Sequence, residues 1–368
     1  MKSFDSENCS LSLNPLAVGS TPSAKEEGHL TSPSNDLPTL DRLQVVEQVR
    51  RFAGATTDAI LDPCMEIFKT SDICGFIAYR MEAKVLIVFG DPTCEGKDKG
   101  PLAAAFDQFA KEQGYKVIYV SASKSFAQWA SEHLCETKIE FGEELILDPF
   151  RAPEKESGTY GSLVRRKIKQ SIREGVTFHE FLNDDPHLQQ AFMRVGELWL
   201  QGRSGPQFHI SNIYLFDDVA GKRWFYAKKG DQIVGVITLN QLQTHQGWLL
   251  NHLMLTKEAP NGTSELLIVS ALETLRNEGC HYVTVGMASL KELGEIVGLG
   301  SFSTWVARLG FKIARKIAHL DGLNMFWGKF TPRREPSYLL FSKNHISIRE
   351  IIAIRRALNG PPKRKKNG

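Results

Sequence analysis

WLLNHLMLTKEAPNGTSELLIVSALETLRNEGCHYVTVGMA, residues 248–288, decides the architecture of this chain. It reads as a strand over 248–255, a short loop holding Pro260, Asn261 and Gly262, a helix over 263–279 and a second strand over 282–285. Leu266, Leu267, Val269, Leu272 and Leu275 recur at helical spacing, so one face of the helix is built to be buried. Thr263 or Ser264 is placed to cap the first turn, and Glu265 is favourable there because the helix dipole is positive at that end. A strand that delivers a loop onto a helix N-terminus aims several free backbone N–H groups at one place, and such a place favours anions. Gly262, Thr263, Ser264 and Glu265 are therefore the expected ligand-binding residues of the turn.

Working outward, a similar order of elements occurs twice. Before the segment come a hairpin over 76–80 and 85–89, a helix over 101–113, a strand over 117–120 and a helix over 126–134. A strand over 144–147, a helix over 160–174 and a strand over 176–180 complete the first set. The second set opens with a helix over 188–200. A hairpin over 224–227 and 233–239 follows, around Lys229-Gly230-Asp231. After the segment come a helical stretch over 308–319 and a strand over 338–341. The fold class expected is α/β with mixed sheets, in two related halves over 38–180 and 181–345. Residues 1–37, rich in Ser, Pro and Asn, are expected to be disordered, and 346–368 to form a C-terminal helix and basic tail. No identity between the halves is visible, so the repeat rests on element order.

At 42% hydrophobic and 24% charged residues the composition is that of a soluble globular protein. No run approaches the length of an apolar transmembrane helix. The start, MKSFDSENCSLSL, lacks an apolar signal region, and the six cysteines are scattered without a CxxC pair. Reduced thiols in a cytoplasmic protein, with neither a disulfide framework nor a metal site, are the expectation. Net charge is only +3, but the cations cluster. Arg165, Arg166, Lys167, Lys169 and Arg173 fall in one helical run without an acid. A second region holds Arg308, Lys312, Arg315 and Lys316, and the tail adds Lys363, Arg364, Lys365 and Lys366. Such clusters suit RNA phosphates or an anionic membrane face; a solvated helix face with a basic tail is the plainer alternative.

The chain has no HExxH, GxSxG, GxxxxGK[ST] or GxGxxG, which disfavours metalloproteases, serine hydrolases, P-loop NTPases and Rossmann dehydrogenases. Gly142-Glu143-Glu144 leads into a strand where adjacent acids point opposite ways, so at most one faces a site. The same holds for Asn251 and His252, where a neutral imidazole can serve as general base or simply be a satisfied structural residue. Lys329, Glu335 and Tyr338 punctuate the aromatic run WGKFTPRREPSYLLF. A lysine there can hold a phosphate or carboxylate, or extend to water.

GDP at 90–92, GEELILDP at 142–149, the basic helix, APNGTSELLIVSAL at 259–272, VTVGMASL at 283–290 and KFTPRREPSYLLF at 329–341 occur in this order. Together they resemble the C-terminal catalytic domain of phosphatidylglycerol lysyltransferases, a group that includes stand-alone relatives such as fungal sterol aminoacyltransferases. The resemblance spans roughly residues 40–358. It implies two tandem acyltransferase domains of the GNAT type, moving an aminoacyl group from a charged tRNA to a lipid hydroxyl at a cytoplasmic membrane face, with aminoacyl-tRNA as co-substrate and no other cofactor. GNAT enzymes hold a coenzyme A pyrophosphate at a turn like 260–264, but this turn has a single glycine, and an aminoacyl-tRNA has no such pyrophosphate. Arg165, Arg166, Lys167 and Lys169 are then expected to contact tRNA. Gly262, Thr263 and Ser264 are expected to supply backbone donors, Asn251 and His252 to orient or deprotonate the acceptor, and Lys329 and Tyr338 to line the channel between the halves. The family's Asp-Leu-Met-Arg on the strand entering the loop is here His252-Leu253-Met254-Leu255, without either charge. The membrane-spanning half of full-length lysyltransferases is not seen, nor is a synthetase domain, so tRNA is expected to arrive charged and the lipid to be reached peripherally. The alternatives are an acyl-CoA-dependent N-acetyltransferase and a non-catalytic protein on the same scaffold.

Overall fold

The computed structural model describes residues 41–182, 184–202, 213–317 and 321–359. The expected disordered segment 1–37 and the tail from 360 lie outside them. In the first half the elements are α1 (Arg42–Phe52), α2 (Thr57–Ile60), β1 (Glu66–Phe68), β2 (Gly75–Glu82), β3 (Val85–Phe89), β4 (Thr93–Cys94), α3 (Lys99–Glu112) and β5 (Lys116–Ala122). Then come α4 (Lys124–His133), β6 (Thr137–Leu147), α5 (Gly158–Arg173) and β7 (Val176–Glu180). The second half contains α6 (Pro186–Gln201), β8 (Lys222–Lys229), β9 (Gln232–Leu242), β10 (Gly247–Leu255), α7 (Thr263–Asn277) and β11 (Val283–Ser289). It ends with β12 (Ile296–Val297), α8 (Ser301–Ile317), α9 (Asp321–Gly328), β13 (Arg333–Phe341) and α10 (Ile348–Asn359). The strand–loop–helix–strand expected over 248–285 is present within a few residues at each boundary.

The strands form one mixed α/β sheet in the order β1-β2-β3-β5-β13-β6-β11-β10-β9-β8-β7, with β4 and β12 alongside. Its two arms repeat a unit. In the first, β2 pairs antiparallel with β3, and β3 runs through α3 to the parallel β5. In the second, β9 pairs antiparallel with β10, and β10 runs through α7 to the parallel β11. The arms are joined by exchange: β13, from the second half, pairs with β5, while β6, from the first, pairs with β11. β6 and β7, both before the expected boundary at 180/181, pair with strands that follow it. Local pattern cannot reveal an exchanged strand, because its pairing partners are distant in sequence.

Apolar clusters cover both faces of each arm. α7 buries Leu266, Leu267, Leu272 and Leu275 against Phe225, Ile237 and Val283, as its spacing requires. On the other face of that arm, Phe192 and Val195 of α6 meet Val236 and Met254. In the first arm α3 and α4 cover one face through Phe106 and Phe126, and α8 and α10 cover the other through Phe311 and Ala353. Among the described residues the cysteines are all free. Burial pushes the thiols of Cys94 and Cys135 up to about 12, so neither is a nucleophile near neutral pH.

Candidate active site between the sheet arms

The two arms differ at the point that matters for chemistry. β3 and β5 pair continuously from Val85↔Lys116 to Phe89↔Val120, so the first unit is closed. β10 and β11 pair only at Trp248↔Val283 and Leu249↔Thr284. Beyond that point β10 stays with β9 and β11 stays with β6, each with a register shift, so the two strands diverge. Gly286 at φ 84° makes the turn on the β11 side, a left-handed backbone that glycine adopts freely. Backbone groups of two diverging strands are no longer satisfied by each other, and such an opening is where a substrate can insert.

Asn251 and His252 stand on β10 just past the last pair. His252 is buried, with Nδ1 2.9 Å from the Thr238 hydroxyl and 3.1 Å from the Asn251 amide nitrogen. Thr238 and Asn251 thus fix the ring of His252 at the edge of the opening.

α9 closes one side of the opening. Trp327 and Phe330 share the core cluster that includes Leu253 of β10 and Val285 of β11, and the Asn324 amide donates to the carbonyl of Ser289 at 2.8 Å. The stretch Asp321–Gly328, not expected as a helix from the sequence, is helical here because Phe326 and Trp327 find this apolar seat; its two glycines hide the periodicity. Immediately after α9, Lys329 is buried and its Nζ lies 2.5 Å from Glu265 Oε1 and 3.9 Å from the Phe326 ring centre.

This pair gives the turn before α7 partners from within the protein. The Glu265 carboxylate turns back on the first helical turn, where it meets its own N–H, the Ser264 hydroxyl at 2.8 Å and Lys329. Burial pushes its pKa up, but the Lys329 and Ser264 hydrogen bonds prevail and hold it below the usual carboxylate range. Gly262, at φ 99°, is pressed onto α5, and a Cβ there would stand 2.0 Å from the Lys167 carbonyl oxygen. Thr263 donates to the carbonyl of Pro260 through both its N–H and its hydroxyl, at 3.1 and 2.7 Å. Of the backbone donors at this turn, the N–H of Thr263 is thus taken by Pro260 and that of Glu265 by its own carboxylate.

The other expected residues separate. Tyr338 packs in the first-arm cluster with Leu340 and Tyr119, so it does not line a channel with Lys329. On α5, Arg165 donates to the carbonyls of Glu154 and Glu156 at 2.9 and 2.8 Å, and Lys167 bonds Asn261 at 2.7 Å. Both are tied into structure. Arg166, Lys169 and Arg173 are exposed along one groove of the helix.

Sequence reasoning left Glu143 and Glu144 undecided; the structure separates them. Glu143 pairs with Arg334 at the surface at 2.7 Å. Glu144 is on the central strand beside Met287 and Glu335, and accepts from the Tyr282 hydroxyl at 2.9 Å. Burial pushes its pKa up, the neighbouring Glu335 and Asp91 add to that, and its hydrogen bonds oppose it. His245 stacks on Tyr282 at 4.5 Å, and burial with the nearby Lys99 lowers its pKa. Glu144, Tyr282 and His245 therefore gather at the junction as titratable groups with shifted pKa values, the pattern expected of a reactive site. The one sequence signal was the adjacency of two acids entering a strand.

The family profile of the phosphatidylglycerol lysyltransferase C-terminal domain matches residues 65–341. The chain belongs to the phosphatidylglycerol lysyltransferase C-terminal family. The phosphatidylglycerol lysyltransferase of Staphylococcus epidermidis is 23% identical over 298 residues, 77% of this chain and 34% of that protein. Its Staphylococcus aureus counterpart is 22% identical over 308 residues, 80% of this chain and 34% of that protein. The chain thus spans about a third of the length of these relatives. Two solved structures share the fold at a TM-score of 0.69 and 19% identity. One is the C-terminal domain of a putative lysylphosphatidylglycerol synthetase from Agrobacterium fabrum, covering 85% of this chain and 96% of that one. The other is L-PGS from Bacillus licheniformis, covering 87% and 98%.

Proposed function

We propose that this chain is an acyltransferase that moves an aminoacyl group from an aminoacyl-tRNA to a lipid hydroxyl, with phosphatidylglycerol as the first acceptor to test and a sterol the second. The observation that carries the choice of acyl carrier is the Glu265–Lys329 pair. A coenzyme A pyrophosphate needs the donors of the first turn of α7, and there the Glu265 carboxylate, paired with Lys329, already takes its own N–H and adds a negative charge. The exposed cations of α5 suit a polyanion that needs no pyrophosphate cradle, and the lysyltransferase relatives support a lipid acceptor.

The acceptor hydroxyl attacks the ester carbonyl of the aminoacyl group. A new ester bond forms, the bond to the tRNA ribose oxygen breaks, and the acceptor's proton ends on that oxygen. The protein must align the two substrates, polarise the carbonyl and relay one proton. His252, held by Thr238 and Asn251, orients the acceptor beside the opening. Glu144, a carboxylate made more basic by burial, takes the proton from the hydroxyl and returns it to the ribose oxygen. Incubating the protein with labelled aminoacyl-tRNAs and a total lipid extract should yield a labelled lipid. Label entering only from acetyl-coenzyme A, or no labelled product at all, would overturn the proposal.

A further inference from the structure

The outer face of α8 has no part in the site above. Phe302 is 76% exposed, Trp305 60% and Ile313 52%, with Val306 and Leu309 exposed on the same stripe. The opposite face packs on the first-arm core through Ala307 and Phe311. The helix therefore presents apolar side chains both to the protein and to water, where a surface helix ordinarily turns polar ones outward. Cations flank the stripe: Lys312 is exposed, and Arg308 is anchored to the carbonyls of Leu293 and Gly294 at 2.6 and 3.2 Å. No Asp or Glu occurs in the helix. α10, over the same core cluster, turns Ile348 (77% exposed), Ile351 and Ile352 outward beside Arg349, while its acid, Glu350, is buried and paired with Lys116.

We infer that α8, with α10 on the same side of the sheet, docks the protein on an anionic bilayer, the apolar stripe lying in the headgroup layer and the cations against lipid phosphates. Charge complementarity selects this occupant. A stripe headed by Phe302 stacked on Trp305, with exposed Lys312 beside it and no acid in the helix, has the composition of an interfacial helix. A second copy of the chain would set the same cations against one another, and a protein partner would have to be acidic.

The test does not depend on the transfer reaction, so failure of one leaves the other standing. The full chain, without tRNA, is sedimented with vesicles of phosphatidylcholine alone or mixed with phosphatidylserine, which is not the proposed acceptor. Binding should require phosphatidylserine and weaken with salt. The double variant Phe302→Ser, Trp305→Ser should bind at least about tenfold more weakly with little change in melting temperature, because both side chains are mostly in water in the free protein. Lys312→Glu should lose the preference for anionic vesicles. Three results would overturn the inference: equal sedimentation with both vesicle types, undiminished binding by the double variant, or a vesicle-free dimer that the double variant converts to monomer.

Discussion

Glu144 and Glu265 both have shifted pKa values, yet their surroundings pull them opposite ways. Glu265 has a buried cation against it, while Glu144 is desolvated and lies beside the carboxylates of Glu335 and Asp91, so the first is held ionised and the second is made more basic. Replacing Lys329 by Met should destabilise the protein by about 3–5 kcal/mol at neutral pH, because it strands a buried charge. Glu265 is held below its unfolded value of about 4.3, so the pair's contribution is present above that pH and fades as acid titrates the folded carboxylate. The difference in urea unfolding free energy between Lys329→Met and the parent should therefore shrink on acidification. For Glu144 the reaction needs the ionised form, so the transfer rate should fall as pH drops through its raised pKa. Glu144→Gln should slow single-turnover transfer by about 10²–10⁴-fold and abolish that acid limb. Unchanged folding with an unchanged pH profile would show Glu144 to be structural.

At the scale of elements, the packing of α5 on α7 divides the basic helix into structural and exposed cations. Gly262 and Asn261 rest on the Lys167 turn, and Arg165 holds the preceding loop. Reversing Arg165 would confuse weakened binding with damaged structure. Arg166→Glu with Lys169→Glu changes only exposed positions. It should weaken tRNA binding and lower the slope of log affinity against log salt by roughly one for each phosphate no longer neutralised, while the thermal melt stays within about a degree or two. α7 and β10 are legible in the sequence because a 15-residue helix with a strong apolar face states its own period. α9 is not, because eight residues with two glycines are helical only when Trp327 and Phe326 are seated. β6 reads from the sequence as four residues rather than eleven, since a central strand paired on both sides need not alternate.

For the whole molecule, the exchange of β6 and β13 means that neither half completes its own arm. A polypeptide ending at residue 180 would leave β5 without β13 and β6 without both its neighbours. Expressed alone, residues 38–180 should fail to give a cooperative thermal transition, and mixing them with 181–368 should restore one. The sequence by itself determined the strand–loop–helix segment, the α/β class, the repeated order of elements and the clusters of cations, because each is written in neighbours a few residues apart. Only the tertiary structure decided which parallel strand pair opens, that Glu143 pairs with Arg334 while Glu144 takes the Tyr282 hydroxyl, and that Glu265 in the first turn of α7 meets Lys329. Those facts depend on groups tens of residues apart in the chain, and local propensity carries no information about such distances.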